Sequence, residues 1–276
     1  MTRDRSRLQV RVPATSANLG PGFDTLGLAL TLYNTFTLTR LPSGSETYIE
    51  ATGHCKGLPL DDSNLFYRSL AHLHNLAGHP LEPYHITMDV AIPPGRGLGS
   101  SATAVVGGLV AANLLMDRHF TGADLLEEAV KLEHGNHADN VSAALFGGLV
   151  VNVQTGIQAK PAYAPGVTMP TGGAADSAQR SAVSIVKLPF PGDLQAVLLI
   201  PDFEMDTVQG RRLMPAHYSK ADTVHSVGRV ALLLAALQQG DLSLLRTAME
   251  DRLHQPYRAH IFPQMPQLIR AAIDAG

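Results

Sequence analysis

An α+β chain in two parts is predicted by three features of the sequence. Short alternating apolar segments recur through the first half and are interleaved with leucines at helical spacing. A breaker-rich stretch at 93–102 lies between one such segment and an apolar run, which reads as strand, loop and helix in series. Past about residue 155, strand-like text at 183–188 and 194–200 is followed by helical patterns, as in an α+β second part. The expected division is 1–155 and 156–276.

Each element has its own local reason. Residues 8–12 alternate and end at Pro13, as a half-buried strand does. A loop of short side chains and breakers, 13–24, follows, and apolar 26–32 and alternating 33–38 read as two more strands. After the turn at Pro42-Ser43-Gly44, residues 61–64 cap a helix over 64–77, with Leu65, Leu70, Leu73 and Leu76 on its apolar side and Gly78 as its stop. Alternating 84–92 leads into the glycine loop and a helix to about Met116. Thr121 with Asp124 and Glu127 opens a helix to Leu132. An apolar helix then runs to Gly147-Gly148. Residues 158–182, rich in Ala, Pro, Gly, Ser and Thr, read as a mobile loop between strands and not as an active-site lid. Helices are expected around 224–237, 241–252 and 266–275, and no internal repeat is evident.

Composition narrows the function classes. With 276 residues, 45% hydrophobic, the chain can bury a core of one large or two intimate domains. A formal net charge of −3 with scattered Lys and Arg gives no basic stripe, so nucleic acid and anionic membranes are not expected partners. The single Cys55 permits no internal disulfide and points to a reducing compartment. Residues 1–7 are charged and lack an apolar signal core, and no apolar run approaches the ~20 residues of a membrane span. A cytoplasmic protein is expected.

The chemistry concentrates in three places. At 93–102 the text is Pro-Pro-Gly-Arg-Gly-Leu-Gly-Ser-Ser-Ala. Glycines let backbone approach a ligand, first-turn N–H groups lack intrahelical partners, and the helix dipole favours negative charge, so a nucleotide phosphate is the natural ligand. The hydroxyls of Ser100 and Ser101 can donate to phosphate or ligate magnesium. No Gly-Lys-Ser/Thr is present, and Gly95, Gly97 and Ser100 miss the last glycine of a dinucleotide fingerprint. In the 13–24 loop, Asn18 and Asp24 can present an amide and a carboxylate to a polar substrate. Residues 133–141 crowd Glu133, His134, His137, Asp139 and Asn140 ahead of an apolar helix. No His-Glu-x-x-His spacing or cysteine accompanies them, so magnesium bound through oxygen is favoured over zinc. His72, His74 and His79 read as solvated or packing histidines.

The string at 93–102 resembles the central motif of the GHMP kinases, in which a Pro-x-x-x-Gly-Leu-Gly-Ser-Ser-Ala loop wraps the ATP phosphates. PATSANLGPGFDTLGLAL, at 13–30, is similar to the N-terminal motif of the homoserine kinase branch of that superfamily. Residues 133–140 resemble its Glu…His-x-Asp-Asn segment, and 251–258 its Glu-Pro-x-Arg segment, with Gln255 in place of the usual glutamate. The resemblance implies the two-domain GHMP kinase fold, with an N-terminal ribosomal-protein-like α/β domain that binds ATP and a C-terminal ferredoxin-like α+β domain. It also implies a third, glycine-rich motif near the C-terminus. The chain ends at Gly276, where that segment is expected to begin, so the second domain is expected to lack it.

By the same resemblance, Pro93, Gly95, Arg96, Gly97, Leu98, Gly99, Ser100, Ser101 and Ala102 hold ATP, and Asn64, by itself an ordinary capping residue, meets the adenine edge. Ser100, Ser101 and Glu133 hold Mg2+. Asn18, Asp24, His137, Asp139 and Thr207 surround the amino-acid substrate, and Arg211 and Arg258 clamp its carboxylate, a task suited to a planar guanidinium. Ser101, Glu133 and Asn140 belong to the catalytic set. Some superfamily members have a basic aspartate where this chain has Asn140, and an amide cannot take a proton, so a base-free route is implied. The implied reaction is ATP-dependent phosphorylation of the L-homoserine hydroxyl in threonine biosynthesis. Alternatives are a GHMP kinase for another small alcohol such as mevalonate, and a non-catalytic sensor on the same fold. A homodimer is left open.

Overall fold

Strand β1 (Arg7–Ala17) does not stop at Pro13. Proline donates no ladder hydrogen bond, and the strand passes it through a register shift between Pro13 and Thr15, the kind of irregularity that tolerates proline. β2 (Leu26–Arg40) is one strand where two were expected, since no Gly or Pro separates Leu32 from Tyr33. In this computed structural model, residues 6–133, 137–154, 183–192, 194–203 and 207–275 are described. The expected loop at 158–182 lies outside them.

β1 runs antiparallel along one edge of β2. The other edge is shared: β4 (Tyr84–Val90) pairs with Thr35–Arg40, and β5 (Leu149–Gln154) pairs with Leu26–Leu28. β3 (Tyr48–Gly53) lies parallel to β4, joined to it through helix α1 (Leu65–Leu76). β6 (Val183–Leu188) pairs antiparallel with β5, so the sheet continues past the expected boundary at 155/156.

Helix α2 (Ser100–Leu115) is apolar nearly all round and buries Ala102, Val105, Val106, Leu109, Ala111 and Ala112, as a central helix must. Its Gly108 abuts α1 so closely that an added Cβ would collide with the Phe66 carbonyl oxygen. Phe36 and Phe66 stack at 4.4 Å beside this contact. α3 (Gly122–Leu132) begins with the expected capping box, in which Thr121 and Asp124 bond reciprocally. α4 (Asp139–Phe146) follows.

From residue 207 on, the elements among the described residues are helical and include α5 (Thr207–Arg212), α6 (Lys220–Gln239), α7 (Leu245–Ala248), α8 (Gln255–Arg258) and α9 (Met265–Ala275). Leu233 and Leu237 of α6 join Leu26, Leu28, Leu30, Ile92, Leu98 and Leu149 in a second core cluster. The expected strand at 194–200 does not form. Val197 and Leu199 are 92% and 71% exposed, and among the described residues no strand pairs with them. β-propensity expresses fit to a half-buried pleated surface, and that surface is missing here. The single helix expected over 241–252 is also broken. A 3-10 turn at Leu242–Leu244 leads into α7, which ends at Ala248, and the Asp251 carboxylate then collects the N–H groups of Leu253, His254 and Gln255 at the start of α8. Among the described residues no helix is long and apolar enough to cross a membrane.

Candidate active site

The loop after β4 is pinned at both ends by side chains distant in sequence. Asn34 accepts the Ile92 N–H at 2.9 Å through Oδ1 and donates through Nδ2 to the Thr103 hydroxyl at 2.9 Å, tying the strand exit to the first turn of α2. The Thr15 N–H donates to the Leu98 carbonyl at 3.0 Å. Gly95, Gly97 and Gly99 have φ of 67°, 74° and 65°, so the loop runs through left-handed conformations that only glycine adopts at little cost. At Gly99 a Cβ would also strike the Thr15 hydroxyl. Gly99 is the N-cap of α2 and brings no side-chain cap, which leaves the first-turn N–H groups open to an anion.

This loop borders a cavity of about 610 Å³ lined by Gly95, Gly97, Gly99, Ser100 and Ser101. On one side the wall is apolar, with Phe36, Leu58, Leu65, Met88 and Val90. Elsewhere it is polar, with Asn18, Glu133, His137, Asp139, Asn140, Arg211 and Arg258. The Ser101 hydroxyl donates to Glu133 Oε1 at 2.6 Å, which places a carboxylate and a hydroxyl beside the α2 N-terminus. Such all-oxygen donors suit magnesium, which uses one or two carboxylates together with phosphate oxygens. That arrangement does not need a cluster of acidic and histidine ligands, and among the described residues there is no group of three or more.

Asn140 Oδ1 accepts the Thr15 hydroxyl at 2.8 Å and its Nδ2 donates to Asp139 Oδ1 at 3.4 Å, which leaves the second amide hydrogen to donate elsewhere. Asp139 is 1% exposed, and its Oδ1 accepts the Asn140 N–H at 2.8 Å. Burial pushes its pKa up to about 6; the Asn140 N–H opposes the rise and the Asp24 charge adds to it.

Asn18 and Asp24 adopt φ of 60° and 57°, and Asn18 Oδ1 accepts the Asp24 N–H at 2.9 Å, closing the loop between them. Arg211 grips Asp24 with both terminal nitrogens, at 2.9 and 2.6 Å. Its Nε is enclosed and has no hydrogen-bond partner. His137 Nδ1 lies 3.9 Å from Asp24, and burial, with repulsion from Arg211, holds its pKa below the usual histidine range. Arg258 is likewise lowered, by burial first and by Arg211 second. Asp139, Arg211 and Arg258 line the cavity and Asp24 lies behind Arg211, a set of two acids and two arginines that matches a zwitterionic amino acid.

Several of the expected residues lie outside the cavity wall. Asn64 does not line the cavity: its Oδ1 caps α1 by accepting from Phe66 and Tyr67, and its Nδ2 donates to the Pro59 carbonyl. The side chains of Leu98 and Ala102 are buried in the core clusters beneath the loop. Pro93 is not in the wall, whereas Pro94 is. Arg96 donates to the Asp202 carbonyl at 3.1 Å and is not a wall residue either. Thr207 begins α5; its side chain, like His134, lies outside the described residues. Thr15 and Asn34, which hold the loop, and the apolar wall were not foreseen. Threonine in a strand and leucine in a helix carry no signal that separates a cavity wall from a core.

Residues 64–148 match the family described as GHMP kinases N terminal domain. A homoserine kinase from Trichormus variabilis is 40% identical over 272 residues, covering 98% of this chain and 81% of that relative. The chain belongs to the homoserine kinase family. It is therefore an enzyme of the kinase class with the mixed α+β GHMP fold. The crystal structure of homoserine kinase from Cytophaga hutchinsonii, 29% identical, superposes with a TM-score of 0.80 over 100% of this chain and 81% of that one. The phosphomevalonate kinase of Streptococcus pneumoniae, 13% identical with a TM-score of 0.59 over 88% of this chain and 77% of that one, shares the fold alone.

Proposed function

We propose that this chain transfers the γ-phosphoryl group of ATP to the side-chain hydroxyl of L-homoserine, giving O-phospho-L-homoserine for threonine biosynthesis. One observation carries the reading: a single cavity joins an uncapped glycine-loop helix N-terminus to a cluster of Asp24, Asp139, Arg211 and Arg258. Bound ATP with Mg2+ supplies the phosphoryl group and a divalent charge against its oxygens. Glu133 and Ser101 hold the metal, and Ser100 and the N–H groups of the glycine loop hold the phosphates. Leu58 and Leu65, backed by the buried Phe36, Met88 and Val90, offer an apolar surface to the adenine.

Arg258 takes the substrate carboxylate, with the charge of Arg211 beside it. Asp24, Asp139, Asn18 and His137 take its ammonium end. Ionised Asp139 gains a cation there, which draws its pKa back down. Asn140 cannot act as a base, and with its Oδ1 engaged by Thr15 it donates an N–H to the reacting oxygens. Catalysis then rests on positioning and charge stabilisation, which suffice for a loose phosphoryl-transfer transition state. The hydroxyl proton passes to a phosphate oxygen.

The test is ADP release with L-homoserine, with mevalonate and with no acceptor, and phosphorus NMR of the product. Turnover confined to homoserine supports the proposal. Equal ADP release without acceptor, or turnover of mevalonate alone, overturns it.

A further inference from the structure

We infer that His254 is a positioning residue for the amino-acid end of the site, holding both the loop that carries Asn18 and Asp24 and the aromatic ring shared by Arg211 and Arg258. That loop contains three left-handed residues, Asn18, Gly20 and Asp24, at φ of 60°, 51° and 57°. Non-glycine residues persist in this region when their surroundings hold them there. His254 Nε2 lies 2.7 Å from the Gly20 carbonyl oxygen. A carbonyl only accepts, so Nε2 carries a proton; burial disfavours a second proton on Nδ1, which is enclosed without a partner.

The same imidazole stacks on Phe23, with centroids 5.3 Å apart and planes at 22°. Phe23 is the ring against which both guanidiniums rest, at 5.3 Å for Arg211 and 5.6 Å for Arg258. The His254 backbone is fixed in turn. Its N–H donates to Asp251 at 2.8 Å, and its carbonyl accepts the Arg258 N–H at 3.0 Å. One residue therefore links the loop bearing Asp24 to the helix bearing Arg258.

Packing alone does not account for a histidine here. It is 4% exposed, and its Nδ1 is buried with no hydrogen-bond partner. An apolar side chain would fill the space without leaving a buried acceptor unsatisfied. What histidine adds is the Nε2–H aimed at Gly20.

The inference rests on the homoserine reading above, and the experiment separates the two. In the full chain, His254→Phe keeps a ring against Phe23 and loses the donor, whereas His254→Gln keeps a donor and loses the ring. His254→Phe raises the homoserine KM about tenfold or more while the ATP KM stays within about twofold, and His254→Gln recovers most of the loss. Calorimetric titration of L-homoserine reports the same order without turnover. If His254→Phe does not fold, Phe23→Leu carries the test through the same KM split. An unchanged homoserine KM in these variants, or a parallel loss of affinity for both substrates, overturns the role of His254. Absence of homoserine turnover by the unsubstituted chain overturns the activity reading, and with it the inference.

Discussion

Replacing Asp139 by Asn tests whether the buried carboxylate is held ionised at a cost to the fold. Its pKa rises from 3.8 to about 6 because burial disfavours the charge. A raised acid pKa makes the folded state relatively more stable when the group is protonated. That advantage is complete below about pH 3.8 and lost as pH rises through about 6. At pH 7.5 the ionised side chain costs the empty protein about 3 kcal/mol, taking about 1.4 kcal/mol per pH unit between the two values. At pH 5 the cost falls to roughly half. Asn removes the charge and keeps an oxygen to accept the Asn140 N–H. The expected outcome is a ligand-free variant more stable than the parent at pH 7.5 by up to about 3 kcal/mol, with a smaller gain at pH 5. Urea unfolding followed by circular dichroism measures it, since the chain contains no tryptophan. The homoserine KM rises in the same variant because the ammonium loses a counter-charge. A variant less stable than the parent at pH 7.5, or a gain identical at both pH values, would refute the argument from burial.

Three further outcomes follow from the site. Arg258→Ala costs about 2–5 kcal/mol in homoserine binding, because it leaves a carboxylate uncompensated, while ATP affinity barely changes; steady-state kinetics with each substrate varied decides it. Asn140→Asp does not accelerate turnover, since a new carboxylate repels the phosphates as readily as it accepts a proton. A rise in kcat with a new acidic limb in the pH profile would count against the base-free route. Gly99→Ala, at φ 65° and in collision with Thr15, lowers both the thermal midpoint and ATP affinity, with a backbone penalty of roughly 1–2 kcal/mol before any clash. Nucleotide titration with a melting curve measures both.

What the sequence alone determined is what short-range chemistry encodes. The glycine loop, the Asn64 and Thr121–Asp124 caps, the alternation of β4 and the amphipathic α1 depend on residues a few positions apart, and all were legible. Family motifs added Asp24, Asp139, Arg211 and Arg258 as a set. The tertiary structure decided where long-range contacts overrule local preference. It left 194–200 without a ladder, joined two expected strands into β2, and ended at Ala248 a helix expected to reach Arg252. Only the fold brought Arg211 onto Asp24 across 187 residues of chain and Thr15 onto Asn140 across 125. The pKa of Asp139 likewise belongs to the fold, because desolvation depends on the atoms that close over a carboxylate and not on its neighbours in the chain.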